Sequence, residues 1–313
     1  MTLTRRHFIA SAALSGVAAS FSQRAAAAQA GLNIVLIGDW GRHGADHQAA
    51  VAAQMGKSAA ELGSAFTISV GDNFYENGVT SLDDPQWRQS FEQVYTAPAL
   101  QSPWKVLLGN HDYRGNVEAQ LAYAQHSPRW QMPARYWHET HALPGGATAA
   151  FYFLDTSPFI QKYYGSTVRV EGQNPAAQLA WLDTALAASR AEWNIVIGHH
   201  PIYTAIIPAA DPDHDHDQPD LIAHLLPILQ RHNVPVYICG HDHTLQSVHM
   251  AGLTHIVTGA GSQTYTPPAA LRPQGFASGA HGFMAASLSA NGFHYSLIDE
   301  HGTALFAQTI TRA

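Results

Sequence analysis

The residues whose chemistry stands out are Asp72 and Tyr75, which come directly after the apolar run 66–70 and Gly71. An apolar run of this length, closed by glycine, predicts a buried strand that delivers both side chains at its end. Aspartate is a hard anionic oxygen ligand. Tyrosine ligates poorly unless a strongly acidic metal ion removes its proton. We therefore hypothesise that Asp72 bridges two metal ions and that Tyr75 binds one of them, a ferric ion.

Four more apolar runs end in glycine followed by a metal-binding type of side chain, and the four residues are Asp39, Asn110, His199 and His241. In open sheets with helical crossovers, ligands bind outside the carboxyl ends of the strands. If five such strand ends lie at one edge of a sheet, their ligand-type side chains surround a common point. A single histidine on an apolar strand is more often structural than a ligand, but five such strand ends are hard to reach by chance.

Two short spacings point to the same site. His241 and His243 are two residues apart, so both rings point the same way on extended backbone. Asp72 and Tyr75 are three apart, which places them on one side of the first turn of a helix. The 20 histidines outnumber the 16 lysines and arginines together, and this also indicates metal chemistry.

The first 30 residues have the order of an export signal. The pair Arg5-Arg6 precedes a weakly apolar stretch, 8–21, and a small-x-small cleavage site at 28–30. The paired arginines resemble a twin-arginine signal, which exports folded proteins to the bacterial periplasm or beyond. We expect residues 31–313 to form a single catalytic domain.

Charge and composition narrow the range of partners. Without residues 1–30 the chain keeps 13 of its 16 basic residues against 23 acidic ones, a net charge of −10 with histidine neutral. An acidic surface disfavours nucleic acid and anionic membranes. No later apolar run is long enough to span a membrane. The one cysteine, Cys239, excludes an internal disulfide and is expected to be a small buried residue.

The order of elements indicates an α/β domain in which strands alternate with helices, followed by an antiparallel end. Helices are predicted at 45–62, 84–95, 116–126, 175–189 and 221–232, the last one kinked or started by Pro227. Strands are predicted at 33–37, 66–70, 104–108, 151–155, 194–197, 234–239 and 256–258, with alternating strands from 283 to 310.

Five motifs occur in the order of those of the calcineurin-like metallophosphoesterases: Gly38-Asp39, Gly71-Asp72-Asn73-Phe74-Tyr75, Gly109-Asn110-His111-Asp112, Gly198-His199 and Gly240-His241-Asp242-His243. The chain most resembles the small, tartrate-resistant type of purple acid phosphatase. The first motif of the superfamily is Asp-x-His, but Trp40-Gly41 follows Asp39 here, and Tyr75 stands where that group carries its replacement ligand. The resemblance implies a four-layer αββα sandwich of two mixed β-sheets flanked by helices.

The resemblance also implies a set of metal ligands. It gives Asp39, Tyr75 and His243 to a ferric ion, and Asn110, His199 and His241 to a divalent ion, with Asp72 as the bridge. Anionic oxygens suit a hard trivalent ion, whereas amide and imidazole suit a borderline divalent one. Whether the divalent ion is iron, zinc or manganese stays open. Three anionic ligands against about five positive charges leave a net positive site for a phosphate dianion.

The implied reaction is the hydrolysis of phosphate monoesters at acid pH. Two metal ions about 3.5–4 Å apart hold the ester, and a metal-bound hydroxide attacks phosphorus in line. His111 follows Asn110 and is expected to bind phosphate and protonate the leaving alkoxide. Expected partners are small phosphorylated molecules, phosphoproteins among them, and the protein is expected to be a monomer.

One position departs from the family pattern. The family has a second active-site histidine nine residues after the metal ligand of Gly-His, where this chain has Pro208. His214 and His216 follow in an apparent insertion, and we hypothesise that one of them takes that catalytic role. His200 occupies a position that is often tyrosine in the small enzymes, so it is expected to line the pocket.

Two alternatives remain open. The first is a phosphodiesterase or nucleotidase with two divalent metals on the same fold, against which Tyr75 argues. The second is an exported metal-binding protein without catalysis. The presence of His111 beside a complete set of metal ligands argues against it. The loops that are expected to select the substrate, at 112–145, 203–219 and 262–282, contain no motif that identifies it.

Overall fold

The computed structural model describes residues 31–207, 217–267 and 270–312. The predicted export signal lies in residues 1–30, outside these ranges. Pro208, His214 and His216 also lie outside them, in 208–216. The hypotheses on these two segments therefore stay predictions from the sequence.

Short strands and a few helices make up the described residues. The strands are β1 (Leu32–Ile37), β2 (Phe66–Ser69), β3 (Trp104–Val106), β4 (Trp130–Gln131), β5 (Trp137–Ala142), β6 (Thr148–Phe153), β7 (Trp193–Ile197), β8 (Val236–Cys239), β9 (Leu245–Met250), β10 (Leu253–Thr258), β11 (Phe276–Ser278), β12 (Gly282–Leu288), β13 (Gly292–Asp299) and β14 (Ala304–Thr311). The α-helices are α1 (Gln48–Leu62), α2 (Val117–Ala122), α3 (Pro175–Ala188), α4 (Pro219–His224) and α5 (Leu226–Arg231).

The strands form two mixed sheets of seven strands each. The first sheet has the order β14-β13-β12-β1-β2-β3-β4, in which β1 to β4 run parallel and β12 to β14 antiparallel. The second has the order β11-β9-β10-β8-β7-β6-β5, with a parallel centre of β6, β7, β8 and β10. Antiparallel strands close the second sheet on both sides.

Alternation along the central strands explains why the sheets stack. Ile34 of β1 belongs to the same apolar cluster as Ile195 of β7, so this face lies between the two sheets. The next residue, Val35, belongs to the outer cluster with Met55 of α1 and Leu182 of α3. Because successive side chains point to opposite faces, each sheet packs on its neighbour and on helices. The predicted αββα sandwich of two mixed sheets is confirmed.

The five ligand-bearing strand ends belong to both sheets, so the prediction of one sheet edge was wrong. β1, β2 and β3 lie in the first sheet, whereas β7 and β8 lie in the second. Periodicity in a sequence shows which residues form a strand but not which strands pair. The two parallel centres nevertheless end side by side, because Gly38 N at the end of β1 donates to Thr258 O at the end of β10 at 2.9 Å.

Several helix boundaries differ from the prediction. The region 84–95 holds only a π-helical turn, Trp87–Glu92, and α2 gives way to a 3₁₀ turn at Tyr123–Gln125. The predicted helix 221–232 is two short helices, α4 and α5, because Pro227 has no N–H to donate into the preceding turn. Strands β4, β9 and β11 were not predicted as strands. β4 and β11 are short edge strands, whereas β9 has six residues and lies between β11 and β10. Short turns connect β12, β13 and β14 in the antiparallel end, where alternating strands were predicted.

Within the described ranges, no helix is both long and apolar enough to cross a membrane.

His255 on β10 gives the stability of the fold a defined pH dependence. Its side chain is buried, its Nε2 lies 3.2 Å from Met250 O, and its Nδ1 has no partner among the described residues. Burial lowers the pKa of His255 to about 4, from 6.5. Between these values the unfolded chain binds a proton that the native state does not, so stability falls as the pH drops.

We predict that His255→Gln makes the free energy of unfolding less sensitive to acid. Between pH 7.5 and 4.5 the wild type should lose about 2.5 kcal/mol more than the variant, as measured by urea unfolding at both pH values. His301→Gln is the matched control because the His301 side chain is 79% exposed. Equal losses in wild type and His255→Gln would contradict the assignment.

Candidate metal centre

The predicted ligands meet where the carboxyl ends of the two parallel centres adjoin. Two cross-sheet hydrogen bonds hold the junction. His199 Nδ1 donates to Val70 O at 2.9 Å, and His241 N donates to Asp39 Oδ2 at 3.0 Å. Asp39 and His199 are fully buried. The first bond also fixes the ring of His199 so that its other nitrogen, Nε2, faces the site.

The glycines before the predicted ligands are required by close approach of the chain segments. A Cβ at Gly109 would press on the backbone nitrogen and carboxylate of Asp72. Gly71 has φ +96° and lies against the His199 ring. Asp39, Asp72 and His241 themselves have φ of 59°, 49° and 68°. Such strained backbone clusters at functional sites, and here it turns three polar side chains into the junction.

Four side chains form an oxygen-rich group, namely Asp39, Asp72, Tyr75 and His243. The Tyr75 hydroxyl lies 3.0 Å from Asp39 Oδ1 and 3.1 Å from Asp72 Oδ2. It also lies 2.9 Å from His243 Nε2, which is 3.5 Å from Asp39 Oδ1.

Three side chains form a nitrogen-rich group, namely Asn110, His199 and His241. Asn110 Oδ1 is 3.2 Å from His199 Nε2 and 3.0 Å from His241 Nδ1, and the two ring nitrogens are 3.3 Å apart. Asp72 Oδ2 lies 3.4 Å from His199 Nε2. The same oxygen therefore contacts both groups.

The donor atoms have the spacing of metal ligands. Atoms that share one ion at about 2.1 Å lie roughly 3.0–3.4 Å apart at octahedral or tetrahedral angles. The contacts within each group, 2.9–3.5 Å, cover this range. Asp39, Asp72 and His199 form one potential metal-binding set, and His199, His200 and His241 form another. The residues of the site therefore fit a pair of metal ions with Asp72 between them.

The electrostatics of the oxygen-rich group also favour a cation. Burial, followed by the nearby Asp39 and Asp72 carboxylates, raises the pKa of Tyr75 well above its usual value. The protein groups alone thus keep the phenol protonated, and a strongly acidic ion is needed to make it an anionic ligand. Burial would raise the pKa of Asp72, but the charges of His199 and His111 outweigh it and hold that pKa well below the ordinary value.

The pKa values of His199 and His241, in the nitrogen-rich group, are shifted in opposite directions. Burial disfavours the charged form of His199, but the Asp72 carboxylate outweighs it and raises the pKa of His199 to about 9. Burial and the neighbouring His199 lower the pKa of His241 well below its usual value. The Asp72 carboxylate therefore favours a positive charge in the nitrogen-rich group, and a divalent cation bound there would supply one.

The local geometry predicted from spacing was wrong at two points, although the residues were brought together as expected. Asp72 and Tyr75 lie in an irregular loop after β2 and not on a helix. His241 and His243 lie in bends, and their rings face different groups. Positive φ at His241 breaks the extended backbone on which the prediction rested.

His111 lies beside the junction with part of its ring exposed. Its backbone N donates to Asp72 Oδ1 at 2.8 Å, so Oδ1 is occupied and Oδ2 is the oxygen left to contact both groups. Its Nδ1 lies 2.7 Å from Glu76 O, and its Nε2 lies 3.9 Å from Asp72 Oδ2. The Glu76 carbonyl can only accept, so Nδ1 carries a hydrogen and Nε2 is the atom turned to the site.

His200 lies behind the site. Its Nδ1 is 2.8 Å from Thr156 Oγ1 and its Nε2 is 2.9 Å from Tyr163 OH. The side chain is fully buried, and burial lowers its pKa well below the usual value. Because both nitrogens have hydroxyl partners, His200 supports the rings of the nitrogen-rich group and is not placed at the surface of a pocket.

Three charged residues around the site were not predicted from the sequence. The Arg42 guanidinium stacks on the Tyr75 ring at 3.8 Å, and its Nη1 lies 2.5 Å from Glu76 Oε1. Arg114 Nη1 lies 3.1 Å from His111 Nδ1. All three lie within three residues of a motif, but their contacts with the site depend on the fold and not on a spacing within the motif.

Asp112 was noted in a motif but not given a role. It is fully buried, and its Oδ2 accepts from Gly109 N at 2.9 Å and from Asn73 Nδ2 at 3.1 Å. Its Oδ1 accepts from Gln120 Nε2 at 2.8 Å. Asp112 therefore ties the loop that carries Asn110 to the loop that carries Asp72.

The comparison with known proteins agrees with this geometry. Residues 32–245 match the family of calcineurin-like phosphoesterases. The chain is 39% identical over 245 residues to purple acid phosphatase 4 of Arabidopsis thaliana, covering 75% of this chain and 69% of that one. It is 32% identical over 308 residues to human tartrate-resistant acid phosphatase type 5, covering 90% and 91% of the two chains.

The chain belongs to the purple acid phosphatases within the calcineurin-like phosphoesterases.

Solved structures share the fold of this purple acid phosphatase family member. One is titled GAP50, the anchor in the inner membrane complex of Plasmodium, with a TM-score of 0.79, 26% identity, and coverage of 90% of this chain and 89% of that one. Another is a purple acid phosphatase from yellow lupin seeds, with a TM-score of 0.67, 16% identity, and coverage of 90% and 53%. The second likeness concerns the fold alone.

We predict that Asp112→Ala destabilises the protein by about 3 kcal/mol, because several buried donors lose their acceptor. Urea unfolding measures the loss. Asp183→Ala is the control: Asp183 pairs with Arg231 and His232 on the surface, and its loss should cost far less. Similar costs for the two variants would contradict the role of Asp112.

Proposed function

We propose that this purple acid phosphatase homologue hydrolyses phosphate monoesters at acid pH with a dinuclear centre of ferric iron and a divalent metal. Membership of the family supports phosphoester hydrolysis and a dinuclear centre. The observation that supports two different metal ions bridged by one carboxylate is the position of Asp72 Oδ2. This oxygen lies 3.1 Å from the Tyr75 hydroxyl and 3.4 Å from His199 Nε2. One carboxylate oxygen that touches both groups is suited to bridge two ions.

The two groups differ in the ion that they would hold. Asp39, Tyr75 and His243 offer two anionic oxygens and one nitrogen, which suit ferric iron. Asn110, His199 and His241 offer one amide oxygen and two nitrogens, which suit iron, zinc or manganese in the divalent state. A phenol becomes a good ligand only when a strongly acidic ion removes its proton, so the place of the Tyr75 hydroxyl, 3.0 Å from Asp39 Oδ1 and 2.9 Å from His243 Nε2, supports the trivalent ion.

The metal pair, when bound, supplies Lewis acidity that activates water and neutralises the phosphate. His111 Nε2 faces the junction while Nδ1 is held by the Glu76 carbonyl, so the ring is oriented to give its Nε2 proton to a leaving alkoxide. Arg114 lies next to His111, with its Nη1 3.1 Å from Nδ1. This cation favours an anionic substrate on an otherwise acidic protein.

Two other functions compete with this proposal. A phosphodiesterase with two divalent metals would use the same fold, but it has no need for a phenol among buried carboxylates. The second candidate is a binding protein without catalysis. The observation in its favour is the structural likeness to GAP50, which is described as an anchor in the inner membrane complex of Plasmodium. Fold does not fix function, so the decision rests on the side chains of the site.

Activity measurements on His111→Ala test the proposal. Loss of a general acid should lower kcat about 10²–10⁴-fold for alkyl phosphates. The loss should be smaller for p-nitrophenyl phosphate, whose leaving group needs little protonation, while the metal content stays that of the wild type. His126→Ala, which removes an exposed histidine, should leave both rates unchanged.

A faster turnover of bis(p-nitrophenyl) phosphate than of the monoester would favour the diesterase instead. A metal-loaded wild type that hydrolyses neither compound would overturn the proposal and favour the binding protein. Equal losses of His111→Ala on good and poor leaving groups would remove the proton-donor role of His111.

A further inference from the structure

A second group of metal-binding side chains lies outside the seven residues of the metal centre. We call it the outer histidine cluster, and it consists of His47, His281 and Glu300. One ligand atom from each residue lies within 4.8 Å of those from the other two. The three come from separate places in the fold: the start of α1, the residue before β12, and the turn between β13 and β14.

Several contacts hold the cluster together. His47 Nδ1 lies 2.8 Å and 3.0 Å from the two carboxylate oxygens of Glu300. The His47 and His281 rings are stacked, with centroids 3.7 Å apart and planes inclined by 7°. Glu300 N donates to His281 O at 2.9 Å, so the backbone fixes these two residues side by side.

The cluster is open to solvent but not loose. The His47 side chain is 52% exposed and that of Glu300 only 12%. His281 Nε2 also lies 3.2 Å from Thr264 Oγ1. An ion can therefore reach the cluster from water, and two of its three side chains are already confined.

We propose that the outer histidine cluster is a binding site for one Zn²⁺ ion, held by His47, His281 and Glu300 with water in the fourth position. Two imidazole nitrogens and one carboxylate oxygen form a donor set that zinc takes in proteins. Donors on one tetrahedral ion lie roughly 3.4 Å apart when each is about 2.1 Å from it. The rings of His47 and His281 now lie parallel, and imidazole nitrogens bind a metal in the plane of the ring, so zinc binding requires the exposed His47 to rotate out of the stack.

The site would fix a loop that reaches the metal centre. Residues 42–47 connect the site to Arg42, whose guanidinium stacks on Tyr75 at 3.8 Å. The loop is anchored at one end by Gln48 Oε1, which accepts from Arg42 N at 3.0 Å. A Zn²⁺ ion on His47 would tie its other end to the turn between β13 and β14. Its effect is thus expected on thermal stability and not on the chemical step.

Zinc titration of the metal-loaded protein tests the proposal. Wild type, His47→Ala, Glu300→Gln and the control His126→Ala, which removes an exposed histidine outside the cluster, are first saturated at the metal centre, and further Zn²⁺ binding is then followed by calorimetry and metal analysis. Because the metal centre is the same in all four, it cancels in the comparison. Wild type and His126→Ala should bind one Zn²⁺ per chain more than His47→Ala and Glu300→Gln, or bind it roughly 100-fold tighter.

The melting temperature gives an independent readout. Added Zn²⁺ should raise it in wild type and in His126→Ala but not in the two cluster variants. If all four proteins bind the same number of Zn²⁺ ions with the same affinity, the cluster is only an ion pair with a stacked ring, and the proposal is wrong. His47 is half exposed, so His47→Ala provides this comparison even if Glu300→Gln does not fold.

Discussion

The close packing of buried anionic oxygens is the constraint on which the rest of the structure depends. The Tyr75 hydroxyl lies 3.0 Å from the Asp39 carboxylate and 3.1 Å from that of Asp72, and all three groups are almost without access to water. Burying such groups together is expensive unless cations and hydrogen-bond donors surround them. The backbone N–H groups of His111 and His241 supply part of the compensation, and the proposed metal ions supply the rest. The glycines, the positive φ values and the two adjoining sheets all serve this packing.

The sequence predicted which residues meet at the junction of the sheets and the αββα sandwich around them, but not which strands pair. Glycine before a ligand type of residue is a local signal, so Asp39, Asp72, Asn110, His199 and His241 could be found one strand at a time. Strands share a sheet when distant segments pair, as β1 does with β12. The hydrophobic periodicity of the sequence gives no information about such pairing. Arg42 and Glu76 act on the site through contacts across the fold, and for that reason they were missed. Asp112 stood in a motif, but its role depends on donors from Asn73 and Gln120.

The orientation of each histidine ring depends on the backbone and the hydrogen-bond partners around it. His199 and His243 turn Nε2 to the site and His241 turns Nδ1, each as the backbone around it requires. His200, one residue from His199, has both nitrogens occupied by hydroxyl groups and takes no part. Similar sheets occur in a protein titled as an anchor, so the fold alone does not define the activity. The set of side chains at the junction of the sheets is what argues for catalysis here.

The visible absorption spectrum of the iron-loaded protein tests the central claim most directly, because a phenolate bound to ferric iron gives a charge-transfer colour. The wild type should be purple or pink, and Tyr75→Phe should lose the band while the fold is kept. Tyr163→Phe is the control: Tyr163 is also buried but bonds to His200, and its loss should leave the colour. A colourless wild type that is fully active and carries iron would contradict the account.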